Sequence, residues 1–146
     1  MSARAYADSS FLVSLYRADA SHEAARDEMA QATDPLPFTP LHRIELRNAL
    51  RNAHSFGQIS DKELRLALRQ IEDDLREGLL VHVSINWTDV CHRGDKLSEK
   101  YAAKEGQRTI DLLHVALAIE SGAKTFLSFD NRQRKLAKAI GLTVRP

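Results

Sequence analysis

The feature that most constrains this chain is an alternation. A short apolar run gives way to a polar turn, and the turn to a helix-forming segment, several times over. Residues 3–7, 36–39, 79–85, 124–129 and 142–144 read as strands, and each of the first four is followed by a helical pattern. Strands separated by helices cannot pair as hairpins. They pair in parallel, with the crossover helices covering both faces of the sheet. The expected fold class is therefore α/β: a three-layer α/β/α sandwich with a mostly parallel central sheet of about five strands. At 146 residues and 43% hydrophobic, the chain suits one domain, residues 1–146, with a full core.

The punctuation between these runs is specific. Asp34-Pro35 and Pro37 break a helix over 19–32, and Pro40 suits the first position of the next helix, which runs to about Phe56. Ser60 and Glu63 form a capping-box pattern ahead of Leu64, Leu68, Ile71 and Leu75, and Gly78 ends that helix. Residues 87–105 read as a polar helix with a possible kink at Gly94, and Trp87 is its candidate anchor to the core. Thr109 is the expected cap of a helix over 110–121, apolar enough after its first turn to be central and buried. A basic helix over 131–140 closes at Gly141.

Four acids fall at the strand-to-helix handovers or within the helices that follow. Asp8 and Asp130 directly follow strands, Asp111 lies in a first helical turn, and Glu45 lies five residues after Pro40. Open parallel sheets gather ligands beyond the carboxyl ends of their strands. Carboxylates meeting there repel one another unless a cation lies between them. All-oxygen donors suit Mg2+ or Mn2+ better than Zn2+, and such an ion serves phosphate-ester chemistry. Ser9 and Ser128 flank two of the acids. Each acid has a plainer reading as a helix cap or surface charge; four in matching topological places make the shared site the stronger one.

Other signals bound the function. The net charge is +1, so any surface for a polyanion must be local. Arg43, Arg47 and Arg51 recur on one helical stripe, Arg132, Arg134, Lys135 and Lys138 crowd the last helix, and Arg108 precedes the third acid. Arg108, Arg132 and Arg47 are the candidate contacts to a phosphate backbone, with a solvated helix face as the alternative. His114 reads first as a core histidine, although it stands one turn from Asp111. The six histidines show no zinc spacing. Cys91 is the only cysteine, which excludes an intrachain disulfide. No apolar run approaches the roughly 20 residues of a membrane span, and the N-terminus lacks signal-peptide blocks, so a cytoplasmic location is expected.

Four blocks carry a family resemblance: Y-A-D-S-S-F-L, I-E-L-R-N-A-L, T-I-D-L-L-H-V-A-L-A and F-L-S-F-D-N-R-Q-R-K-L-A-K-A-I-G-L. Their order and spacing resemble PIN-domain ribonucleases, and within them the VapC-like toxins of type II toxin–antitoxin systems. The resemblance implies that Asp8, Glu45, Asp111 and Asp130 are the metal-binding and catalytic quartet, supported by Ser9, Ser128 and Asn48. It also implies Mg2+ or Mn2+, hydrolysis of RNA, a homodimer and a cognate antitoxin protein. His114 and Arg132 stand where some relatives carry a further acid, which leaves one- and two-metal sites open. A PIN nuclease of RNA processing without an antitoxin, and a non-catalytic PIN-like binding module, are the alternatives. A phosphatase would want D-x-D where this chain has Asp8-Ser9-Ser10, and a receiver domain would want adjacent acids there.

Overall fold

The computed structural model describes residues 4–146. In chain order the elements are β1 (Ala5–Ala7), α1 (Ser9–Tyr16), α2 (His22–Gln31), β2 (Leu36–Phe38), α3 (Pro40–Ser55), α4 (Asp61–Glu77), β3 (Leu80–His82), α5 (Trp87–Glu105), α6 (Thr109–Glu120), β4 (Thr125–Leu127), α7 (Asn131–Ala139) and β5 (Thr143–Arg145). Every strand pairing is parallel. The ladders join the strands in two groups, β1-β4-β5 and β2-β3. β1 and β2 lie side by side where the groups meet. Across that seam the buried His42 ring gives its Nε2 hydrogen to the Ala7 carbonyl at 2.7 Å.

The pleat divides the core into two. Ala7 and Leu127 pack into one apolar cluster with Phe11, Leu12, Leu46, Leu50 and Ile71, which come from α1, α3 and α4. Tyr6 and Phe126, their neighbours in sequence, pack into the other with Val90, Leu97, Val115, Leu117 and Leu136, from α5, α6 and α7. Successive strand residues point to opposite faces, so this split is the signature of a sheet between two helical layers. The three-layer α/β/α arrangement expected from the alternation is the one observed.

Several local expectations shift. The Ser60–Glu63 capping box forms as predicted, and Gly78 closes α4 in the left-handed conformation at φ 83°, where a side chain would be strained. The third strand shrinks from 79–85 to Leu80–His82, because residues beyond His82 lose their ladder partner when β2 ends at Phe38. Residue 3 of the first strand falls outside the described residues. Thr109 is the first residue of α6 rather than its cap; Arg108 takes the cap position without a side-chain cap bond. Trp87 is 39% exposed and does not anchor α5, whose buried residues are Val90, Gly94 and Leu97. α5 continues as one helix through Gly94, whose Cα faces Leu113 of α6. Among the described residues no helix is long and apolar enough to cross a membrane.

Candidate functional site

The parallel ladder brings the ends of β1 and β4 side by side, and their two following turns are stitched together. Asp8 caps α1, its Oδ1 accepting the Phe11 N–H at 3.0 Å. Asp130 caps α7, its Oδ1 accepting the N–H groups of Arg132 and Gln133 at 2.9 and 3.2 Å. Ser128 gives its hydroxyl to Asp8 Oδ2 at 2.5 Å and accepts the Asp130 N–H at 3.0 Å. Ser10 gives its hydroxyl to Asp8 Oδ1 at 2.7 Å and accepts the Phe129 N–H at 3.0 Å. Phe11 and Phe129 stack beneath, ring centroids 5.6 Å apart. Each serine thus spends its proton on Asp8 and its lone pair on a backbone N–H of the turn after β4.

Asp8 is nearly sealed, at 2% exposure. Burial raises its pKa above the ordinary carboxylate range, outweighing the bonds from Ser10, Ser128 and Phe11, all of which act downward. A carboxylate that remains hard to ionise after three hydrogen bonds is one that a nearby cation would relieve.

Asp111, also buried, sits in the first turn of α6. Arg108 grips it as a fork, Nε to Oδ2 at 2.8 Å and Nη2 to Oδ1 at 3.2 Å. The same Nη2 reaches Asp130 Oδ2 at 3.2 Å. One guanidinium therefore holds two of the four acids, and those contacts, the Asp111 bond first, raise its own pKa above the ordinary arginine value.

Glu45 approaches from α3 and takes the Nε2 hydrogen of His114. His114 Nδ1 lies 2.7 Å from the Tyr6 hydroxyl. The partners set the tautomer: a carboxylate only accepts, so Nε2 carries the hydrogen. Tyr6 is fully buried, and burial first, then the charges of Asp8 and Glu45, push its pKa well up, so it keeps its proton and gives it to Nδ1. His42 packs against both rings, its centroid 5.0 Å from Tyr6 and 5.3 Å from His114. Its Nδ1 accepts the Thr39 N–H at 3.0 Å while Nε2 holds the Ala7 carbonyl, and burial lowers its pKa to about 3.

Glu45 and Asp130 border an open cleft of about 560 Å3, whose lining also includes Ser9, Ser10, Asp19, Asn48, Asn52 and Phe129. A slightly larger hollow of about 600 Å3 lies elsewhere, beside Arg4, Asp34 and Val81. Its walls include Pro35, Pro37, Val83, Ile85 and Leu117, and its Glu120 is already paired with Arg93; none of the four candidate acids lines it.

The donor set is chemically suited to a hard divalent cation: carboxylates and hydroxyls, with a guanidinium already standing between Asp111 and Asp130 as a cation. Among the described residues no three Asp, Glu, His or Cys side chains stand together in a ready-made metal cage. The side chains present supply the charge and the ligand type, with Arg108 as the counter-charge of Asp111 and Asp130.

The other candidates are placed as follows. Ser9 lines the cleft, but the hydroxyl bonded to Asp8 is that of Ser10, which sequence reasoning missed. Asn48 lines the cleft one turn after Glu45. Arg47 shares Glu72 with Arg43, at 3.1 and 2.8 Å, so both are held by α4. Arg132 stays exposed at the start of α7. Arg108 faces the acids. His114 is both of the things its position suggested, a satisfied buried histidine and the partner of Glu45.

Comparison with curated proteins finds no match. Among solved structures, the crystal structure of Mycobacterium tuberculosis VapC20, a toxin that cleaves the sarcin-ricin loop, superposes with a TM-score of 0.67 at 19% identity, covering 97% of this chain and 99% of that one. That likeness is one of fold. A family model described as PIN domain matches residues 5–139, nearly the whole length, and the chain belongs to that family.

Proposed function

We propose that this protein is a divalent-cation-dependent endoribonuclease that hydrolyses RNA phosphodiesters in the cytoplasm, and that it is the toxin of a type II toxin–antitoxin pair. The observation that carries the reading is that one guanidinium links Asp111 and Asp130 from two separate connections, while Ser128 ties Asp8 to the Asp130 turn and Glu45 shares a cleft with Asp130. Asp8, Asp111 and Asp130 would hold Mg2+ or Mn2+, with Glu45 completing the site or holding the attacking water. Bound there, the ion lowers the pKa of a water and offsets charge on the phosphate under attack.

The chain's own residues do the rest. Ser10 and Ser128 fix the Asp8 carboxylate, and His114, set by Tyr6, holds Glu45 toward the cleft. Asn48 lines the cleft and Arg132 is exposed at the start of α7, and both are candidates to meet an RNA strand. Ile44 and Phe56 on and just after α3, and Leu66 on α4, are large apolar side chains left 70%, 75% and 51% exposed, a surface suited to a second copy or an antitoxin segment.

The test is cleavage of a mixed RNA pool by antitoxin-free protein in Mg2+, Mn2+ or EDTA, with the new ends mapped. Cleavage that needs the metal and disappears in Asp111→Asn is expected. Equal cleavage in EDTA, or by Asp111→Asn, refutes the metal assignment. A small inhibitory protein that copurifies from the native operon supports the toxin role, and full activity without any such partner favours an RNA-processing nuclease.

A further inference from the structure

We propose that Arg108 is a tethered counter-ion of the candidate metal centre: it occupies the acid pair when the divalent cation is absent, and on displacement it binds the RNA backbone. The inference rests on the metal-dependent reading above and adds a residue to it. Its ground is the fork itself. Arg108 makes three hydrogen bonds, two to Asp111 and one to Asp130, and so neutralises acids from two different connections at once. A divalent ion on those carboxylates would occupy the same charge well, so the guanidinium and the metal repel each other and compete for the same negative charge.

Three further observations fit displacement rather than a permanent clasp. The Asp111 side chain is 5% exposed, so it needs some counter-charge at all times, whereas the Arg108 side chain is 56% exposed and can leave into solvent at little cost. Arg108 stands at the cap position of α6, outside the helix proper, where its side chain is not packed against the core. Its Nη1 has no partner among the described residues, so the guanidinium already presents a donor outward. Swung away from Asp111, the whole planar fork becomes available, and its geometry matches two phosphate oxygens. The same residue then sets how much metal is needed to charge the site and contributes to holding the substrate once it is charged.

The experiment measures Mn2+ affinity by calorimetry on full-length wild type, Arg108→Gln and Arg108→Lys, and kcat and KM for one RNA at saturating Mn2+. Loss of a charge-assisted fork, discounted for its exposure, predicts Mn2+ binding tighter by about three- to tenfold in Arg108→Gln. Arg108→Lys, a point charge without the fork, falls between. KM for RNA rises in Arg108→Gln. A residue that merely braces α6 would weaken metal binding or leave it unchanged, so tighter metal with weaker RNA is the distinguishing pair. Unchanged or weaker Mn2+ affinity in a folded Arg108→Gln overturns the inference while leaving a metal-binding wild type intact. Tighter metal with an unchanged KM overturns the transfer to phosphate. If Arg108→Gln does not fold, Arg108→Lys carries the same comparison. If neither wild type nor variant binds Mn2+, the metal reading itself falls, and this inference with it.

Discussion

Asp8→Asn should make the metal-free protein more stable while removing its activity. Asp8 is buried to 2% exposure, and its carboxylate is held by Ser10, Ser128 and the Phe11 N–H, yet burial still leaves its pKa raised. Asparagine keeps the shape and removes the charge. Its Oδ1 can still accept from Ser10 and Phe11, and its amide can donate to Ser128 Oγ. Ser128 can then turn its own hydrogen toward the Asp130 carbonyl at 3.5 Å or Ser10 Oγ at 3.4 Å. One Nδ2 hydrogen lacks an acceptor, which costs less than burying a full charge, so the change still subtracts a net desolvation penalty. Gains at such sites are about 1 kcal/mol, or a Tm rise of roughly 3–5 °C for a domain of this size.

The pH dependence separates this cause from a packing effect. With a folded pKa above the unfolded one, the native state binds more protons than the unfolded state between the ordinary carboxylate value and the raised one. Stability of the wild type therefore declines as pH rises through that window, and the penalty is complete above it. The variant lacks this slope. Thermal melts in EDTA should show the two proteins close together near about pH 4, with the Asp8→Asn advantage growing toward neutrality and then levelling. In saturating Mn2+ the order should reverse, because only wild type has the charge to hold the ion. A variant less stable than wild type in EDTA at neutral pH, or a gap that does not change with pH, refutes the account of Asp8 as a carboxylate whose burial outweighs its hydrogen bonds.

Three other perturbations follow from the same geometry. His114→Phe removes the donor to Glu45 and should cost about 1–3 kcal/mol in denaturant melts and lower cleavage, whereas His114→Gln, which keeps an N–H, should recover part of both; equal losses in the two variants would mean that only ring packing matters. His42 is kept neutral by burial, with a pKa of about 3, so the unfolded chain binds its proton first: stability is full above about pH 6.5 and should fall by about 1.4 kcal/mol per pH unit below it, and a His42→Gln protein with the same acid slope would remove His42 as the cause. Arg132→Gln should weaken RNA binding across sequences and reduce the salt slope by about 1, and an unchanged slope in filter binding would place Arg132 off the RNA path.

What could be read from the sequence was whatever depends on local chemistry. The alternation, the Ser60–Glu63 box, the Gly78 stop and the buried helix around Leu112–Ala118 are local or periodic patterns, and the structure has each of them. What could not be read depends on rotation and reach. Ser9 and Ser10 are equivalent as letters, but the first turn of α1 directs Ser10 toward both Asp8 and the Phe129 N–H, and Ser9 toward open cleft. Arg47 was one of a stripe of three until α4 placed Glu72 against it. Arg108 was a base near an acid; nothing in one chain's letters says that its fork spans Asp111 and Asp130. Trp87 was assigned to the core on size, although the start of α5 lies at the surface.

The capping seen at Asp8 and Asp130 and their proposed role as site residues are compatible, because the two oxygens of each carboxylate divide the labour. In each carboxylate Oδ1 faces the helix, accepting from Phe11 in one case and from Arg132 and Gln133 in the other. Oδ2 faces the site, toward Ser128 in one and Arg108 in the other. A capping carboxylate is fixed at the point where the helix dipole favours negative charge, so capping supplies the orientation that a shared cation needs. The two roles are therefore not competitors for these residues. A strand that ends in an aspartate which caps the next helix delivers one oxygen to the fold and leaves the other at the carboxyl edge of the sheet, and β1 and β4, paired in parallel, set two such aspartates side by side there, linked through Ser128.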